Sequence, residues 1–206
     1  TIWIGTEAGG LNKMTRRVLP VINYVHNVEN SNSISKGPVN SIYQEPNGDI
    51  WAGCIEGGLN FKTAQSNNFK HFTTSNGLSH NSVSVIIPTP DNHLWLGTWG
   101  QGINIFDKKS KHVIGYVNSR STGYNIDFIG SMIYDYINNG IWIGSNRGIY
   151  FYSLATKHIL TPLPKSITAN INGCLGITIQ KYAVQWRENT TAILTLVLHF
   201  LKKIIH

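Results

Sequence analysis

The chain has 206 residues and a formal net charge of +7, yet only 13% of its residues are charged, against about 25% in an ordinary globular protein. Low charge combined with 20 glycines and many Asn, Ser and Thr residues fits a turn-rich β protein and argues against a helical one. The surplus Lys and Arg residues are scattered. Their densest run, Lys108-Lys109-Ser110-Lys111, falls where a hairpin turn is expected, so the basic balance reads as solvated turn residues and not as a nucleic-acid patch.

In chain order, one phrase keeps returning. Ile2-Trp3-Ile4-Gly5-Thr6 opens the sequence, and Ile50-Trp51-Ala52-Gly53-Cys54, Leu94-Trp95-Leu96-Gly97-Thr98 and Ile141-Trp142-Ile143-Gly144-Ser145 repeat it. The tryptophans are spaced 48 (51 − 3), 44 (95 − 51) and 47 (142 − 95) residues apart. A fixed period of about 40–50 residues is the mark of β-propellers and related arrays.

The second unit has an apolar run at 39–43, the turn Asn47-Gly48, the Trp51 strand, Gly57-Gly58 and a strand at 59–61. In the third, an alternating stretch at 69–73 leads to the loop Asn76-Gly77-Leu78-Ser79 and a β-branched run at 83–87, which Pro88, Pro90, Asp91 and Asn92 end. The Trp95 strand, Gly100-Gln101-Gly102 and strands at 103–106 and 113–117 complete it. The fourth has a strand at 129–136, Asn139-Gly140, the Trp142 strand, Gly148 and a strand at 149–152. It carries one extra residue before its Trp and one fewer after it, both in turns. Four short strands per period make one propeller blade. Asn-Gly between apolar runs predicts type I′ hairpins. Trp at the centre of a covered strand wedges adjacent blades apart, and the Gly two residues on admits the neighbour's backbone or ring.

Beyond residue 160 the pattern weakens. Trp186 is in phase (186 − 142 = 44) and Ile177 sits nine residues before it, but Trp186-Arg187-Glu188-Asn189 has lost the glycine and threonine. Ile193, Leu196, Val197, Phe200, Leu201 and Ile204 lie at helical spacing, while Leu194, Leu196 and Leu198 alternate as in a strand; the stretch is too short and too interrupted to read as a membrane span. The expected fold is all-β: a partial β-propeller of about four to four and a half four-stranded antiparallel blades. Its blades would occupy residues 1–165, with 166–206 as a degenerate fifth unit and an apolar tail. The chain opens inside a repeat without a signal peptide or initiator Met, and so reads as a piece of something longer.

The stretch from Phe69 to Val83, the Leu-Trp-Leu-Gly-Thr phrase and Gly102-Ile103-Asn104-Ile105-Phe106-Asp107 together resemble the two-component regulator propeller repeat. The resemblance covers roughly residues 1–160. The family often places an acidic residue shortly before the Asn-Gly turn; Glu45 and Asp135 match this and Thr89 does not. The resemblance implies the extracytoplasmic, periplasmic sensor region of a hybrid histidine kinase acting in a phosphorelay. Such regions often detect polysaccharide breakdown products. It also implies a seven-bladed ring, the kinase as a partner in the parent chain, and a homodimer there.

No catalytic or metal constellation stands out. The histidines (His26, His71, His80, His93, His112, His158, His199, His206) show neither HxH nor HExxH spacing, and no nucleophile elbow or phosphate loop occurs. Cys54 and Cys174 form no CxxC pair and read as small buried residues. No kinase motif is present, and no cofactor is expected.

A binding face follows from topology. In a blade that runs from inner to outer strand, the turn after the Trp strand and the linker into the next blade share one face. Loops on a rigid scaffold are where function concentrates. That face gathers Glu7, Glu56, Trp99, Gln101, Asn146 and Arg147 from the first kind of loop. The second kind brings Asn76, His80, Asn81, Arg120, Tyr124, Asn125 and Asp127. Trp99 stands outside the repeat register, and an aromatic ring beside amides, carboxylates and Arg is equipment for gripping an oligosaccharide; the alternative role for Trp99 is to cover a neighbouring blade's edge. Two other functional readings stay open: a lyase resembling the streptogramin lyases, using His80 with Asp127 or Glu56 and a metal, and a scaffold for protein partners.

Incomplete rings leave sheet edges open, and open edges self-associate. Sedimentation of the purified chain is expected to show concentration-dependent assembly; a sharp monomeric melt independent of concentration would contradict it.

Overall fold

The computed structural model describes residues 2–6, 10–14 and 21–160. The degenerate unit and apolar tail expected at 166–206, with Cys174, Trp186 and His199, lie outside the described residues, as does Glu7. The chain forms two compact units, residues 1–129 and the part beginning at Gly130.

In the first unit, β1 (Ile2–Thr6), β2 (Gly10–Met14) and β3 (Ile22–Tyr24) form a three-stranded antiparallel meander. A four-stranded sheet follows, made by β4 (Val39–Gln44), β5 (Ile50–Cys54), β6 (Gly58–Lys62) and β7 (Lys70–Phe72). The next has β8 (Val83–Pro88), β9 (His93–Thr98), β10 (Ile103–Asp107) and β11 (His112–Val117), followed by a single helical turn, α1 (Ser119–Thr122). The second unit holds β12 (Ile129–Asp135), β13 (Gly140–Ser145), β14 (Gly148–Ser153) and β15 (His158–Leu160), again one antiparallel meander. The tryptophan strand is second in each four-stranded sheet, so each sheet is one blade as the periodicity predicts. The 69–73 stretch, which begins the third sequence unit, is the outer strand β7 of the preceding blade.

Both halves of the Trp-x-Gly reading hold in the first unit. Trp51 is 1% exposed and packs on Phe61 of its own sheet (centroids 4.3 Å apart) and edge-on against Phe106 of the next (5.5 Å). Trp51, Phe61, Phe72, Leu78, Val83, Leu94 and Phe106 belong to one apolar cluster shared by the second and third sheets. At Gly53 a Cβ would lie 2.9 Å from the carbonyl oxygen of Val83, the first residue of the next sheet. On Gly5 it would lie 2.9 Å from Val39 O, and on Gly97 2.6 Å from Ile129 Cγ2. Gly5 and Gly53 therefore each leave room for a carbonyl of the following sheet's first strand, and Gly97 for the side chains of Val85 and Ile129.

Two expectations are corrected. The Asn-Gly turns are not type I′: Gly48 has a φ of 90° but Asn47 is not left-handed, and in the fourth blade Asn139 (φ 45°) takes that conformation. The Gly48 N–H bonds to Glu45 O and the Glu45 N–H to Asp49 O, a turn closed by a single left-handed residue, which a loop longer than two residues needs. Asn92 (φ 67°) fills the same place in the third blade.

Nor is the lysine run solvated throughout. Lys108 Nζ donates to Glu45 Oε2 at 3.0 Å with both side chains mostly covered. The Lys111 ammonium lies 3.6 Å from the Phe61 ring centroid and 4.9 Å from that of Trp51, and burial lowers its pKa. These two lysines cross from the third sheet to the second, because the turn after β10 overhangs the Trp51 cluster.

The acidic position matched in the resemblance has a structural use. Glu45 Oε1 accepts from the Trp51 indole at 3.0 Å, and Asp135 Oδ2 accepts from that of Trp142 at 3.1 Å. Burial would raise the Asp135 carboxyl, but hydrogen bonds from Asn138, the Trp142 indole and the Ile137 amide outweigh it and hold the group below its ordinary value.

A second repeated device escaped the sequence reading. Buried Asn60 in β6 accepts from the Ser35 N–H (2.9 Å) and donates to Ser35 Oγ (2.7 Å). Buried Asn104 in β10 does the same to Ser79 (2.8 and 2.9 Å), so each linker is stapled to the third strand of the blade it enters. The signal was present as Gly-Leu-Asn, Gly-Leu-Asn and Gly-Ile-Asn at 10–12, 58–60 and 102–104.

Gly53→Ala and Gly97→Ala should each lower stability by about 1–3 kcal/mol through overpacking, read as a drop in the urea midpoint. An unchanged midpoint would show that the next sheet does not close on these glycines.

Candidate functional site

The face expected to bind is assembled by main-chain bonds between linkers and turns. The linker into the third sheet crosses the β5–β6 turn: the Gly58 N–H donates to Asn81 O at 2.7 Å, and the Glu56 N–H to Ser82 Oγ at 3.1 Å. The linker into β12 crosses the β9–β10 turn in the same way, since Gly100 and Gly102 both donate to Asp127 O (2.9 and 2.8 Å). Gly102, just before β10, has a φ of 73° and the carbonyl of Val117 where a Cβ would stand, so no side chain fits there. Of the residues expected on this face, Glu56, His80, Trp99, Gln101, Tyr124 and Asp127 stand on these linkers and turns of the first unit. Arg147 is in the second unit, exposed in the β13–β14 turn, where its N–H donates to Ser145 Oγ at 3.0 Å.

Trp99 and Phe128 face each other across an isolated antiparallel bridge. Their rings stack at 5.3 Å with planes 11° apart, Trp99 half-buried and Phe128 38% exposed. The Trp99 N–H donates to Ser82 O at 3.1 Å, fixing the indole where the third sheet begins. Phe128 was not foreseen. The residues in its place before β4 and β8 are Pro38 and Ser82, so the repeat gives no hint of an aromatic there.

Around this pair the polar groups divide into fixed and free. Asp127 is fixed: Oδ1 accepts from the Ser119 N–H (2.9 Å) and Oδ2 from Ser119 Oγ (2.6 Å), which ties the start of α1 to the bridge. Asn118 caps α1 by accepting from the Ser121 N–H at 3.1 Å. His80 Nδ1 accepts from the Ser82 N–H at 3.0 Å, so the neutral ring carries its proton on Nε2. That edge lies beside Gly100, about where a Cβ would touch it (3.5 Å). Glu56 is exposed with its backbone left-handed (φ 60°), and its carboxylate meets no described donor. Gln101 is exposed, its main chain bonded to Thr98 and Ser79 and its amide turned to neither. Tyr124 is half-buried in the turn after α1.

Chemically the face is an aromatic ledge with amide, carboxylate and imidazole N–H groups at its rim. Among the described residues no group of three His, Cys, Asp or Glu side chains is placed to hold a metal. Nor is any helix long and apolar enough to cross a membrane among them.

Asp127→Ala should release α1 and the bridge, speeding amide exchange at 99–102 and 119–127 by an amount worth about 1–3 kcal/mol, the cost of unsatisfied buried donors. Asp127→Asn, which keeps one acceptor, should do less. Equal, unchanged exchange in both variants would show that the carboxylate does not organise this face.

Residues 77–100 match the family model described as two component regulator propeller. No curated protein matches the chain. The extracellular domain named for a hybrid two component system of B. thetaiotaomicron superposes with a TM-score of 0.65 at 22% identity, covering 77% of this chain and 21% of that one. A second, named for a one component system of the same organism, gives 0.64 at 19%, covering 78% and 23%. A computationally designed protein, Ika8, gives 0.55 at 12%, covering 77% and 44%. The chain spans about a fifth of the length of the two bacterial domains. Residues 77–100 thus match the two component regulator propeller repeat, and the antiparallel four-stranded sheets are blades of a partial β-propeller, the fold shared with these extracellular domains.

Proposed function

We propose that this chain is the ligand-sensing propeller segment of an extracytoplasmic two-component sensor, non-catalytic by itself, and that its ligand is an oligosaccharide. The observation that carries this is the Trp99–Phe128 stack: two near-parallel rings, partly exposed, held rigid by backbone bonds on the face where linkers and turns meet. A sugar presents one apolar C–H face to such a ledge and hydroxyls to the rim, where Gln101, Glu56 and His80 Nε2 offer donors and acceptors. A kinase that reports binding and a homodimeric parent belong to this reading; its extracytoplasmic location is supported by the extracellular domains the chain superposes on. A lyase reading would pair His80 with Asp127 or Glu56; both Asp127 oxygens already accept from Ser119, which leaves Glu56 as the partner with a free carboxylate. Neither a protein scaffold nor a nucleic-acid partner has a comparable observation behind it.

Calorimetric titration of the full-length protein with a panel of plant and host oligosaccharides should find a saturable ligand. Trp99→Ala should weaken it at least tenfold, about 1.4 kcal/mol, while leaving the melting temperature of the other blades in place. Turnover of any sugar by the pure protein, or binding untouched by Trp99→Ala and Phe128→Ala together, would overturn the proposal.

A further inference from the structure

Trp3 and Trp51 occupy the same place in successive sheets, and each has an ammonium near its ring (Lys111 lies 4.9 Å from Trp51), but the two positions that flank them differ. Trp51 lies between two rings, Phe61 opposite it in register and Phe106 from the next sheet. Opposite Trp3 in register is Lys13, whose Nζ lies 5.5 Å from the indole centroid. The residue reaching over from the next sheet is Lys62, one repeat before Phe106 (106 − 62 = 44), with its Nζ 6.0 Å from the same ring. Two ammonium groups thus flank Trp3 where two phenyl rings flank Trp51.

Lys62 is 4% exposed. Its Nζ donates to Thr63 O at 2.9 Å and lies 5.5 Å from the Tyr24 ring, and no described carboxylate comes within the 4.0 Å of an ion pair. Asp49 acts on it only from a distance; its oxygens are held by Asn47 and Ala64. The Trp3 indole nitrogen is buried and has no described acceptor. A buried ammonium without a counter-charge beside a buried donor without an acceptor is costly on both counts. One sheet further on the same need is met by a single group: Glu45 accepts from the Trp51 indole and from Lys108, and also from Tyr43 Oη at 3.1 Å.

We infer that the Trp3 indole N–H and the Lys62 ammonium, with Lys13 beside them, form a seat for one carboxylate at the junction of the first and second sheets. Its chemistry is that of Glu45: one oxygen takes the indole proton in a hydrogen bond and the other faces the ammonium. Two sources can supply it. One is a small free carboxylate. The other is an acidic residue of the polypeptide ahead of Trp3. Glu45 and Asp135 precede their tryptophans by six (51 − 45) and seven (142 − 135) residues, and the same offsets from Trp3 fall four or five places ahead of Thr1.

The indole N–H resonance of Trp3, assigned with Trp3→Phe, reads the seat directly. Acetate titrated into the 206-residue chain at constant ionic strength should move that resonance saturably downfield, and chloride should not. Lys62→Met, apolar like Phe106 in the same place, should abolish the response while the Trp51 resonance stays put, showing that the neighbouring cluster remains folded. A five-residue N-terminal extension with Glu four places ahead of Thr1 should shift the resonance without acetate, and the same extension with Gln should not. A response to acetate with none to the Glu extension assigns the seat to a free carboxylate; a response to both assigns it to the polypeptide. If neither acetate nor the Glu extension moves the Trp3 resonance beyond chloride, the inference is wrong.

Discussion

Close approach of main chain at Gly5 and Gly53 governs how the sheets of the first unit sit on one another. A hydrogen atom in place of a side chain lets the first strand of the following sheet come within contact distance of β1 or β5. The large side chains then only have to fill the wedge that remains. Trp51 and Phe106 do this as an edge-to-face pair, and Lys108 and Lys111 close the rim by reaching back to Glu45 and to the ring faces. Apolar area supplies the attraction, but backbone shape decides its geometry.

This constraint also explains what the sequence could and could not reveal. Four tryptophans in step, each followed by Gly at the second place, are a consequence of packing repeated at one period, so blades and strand order were legible from periodicity alone. Turn type was not. The hairpin loops have more than two residues, and only their last residue is left-handed, whether Gly48, Asn92 or Asn139. The lysines were misjudged because a turn that is solvated in isolation overhangs the next sheet's aromatic cluster in the fold. The buried asparagines were visible as a repeated letter whose meaning depended on a linker distant in sequence.

The candidate face shows the same division. Trp99 was singled out because it broke the repeat, and its partner Phe128 was overlooked because nothing in the repeat marks its place. Asp127 was grouped with the groups free to touch a ligand; its carboxylate instead anchors α1, and its carbonyl closes the β9–β10 turn. The division follows from chemistry, since a loop that must hold two rings in parallel needs its nearest acid for internal bonds. What is left for a ligand is the aromatic surface and the amide, imidazole and carboxylate groups without such duties.

The asparagine staples carry an implication for descent. Because Asn60 and Asn104 each hold the linker that enters their own blade, a segment running from one linker serine to just before the next contains both partners of its staple. One of its ties backwards, from the Gly58 N–H to Asn81 O, is main chain on both sides and indifferent to the residues that flank it. Such a segment can be duplicated or exchanged by recombination as a unit, free to drift on its exposed loops while its staple travels with it.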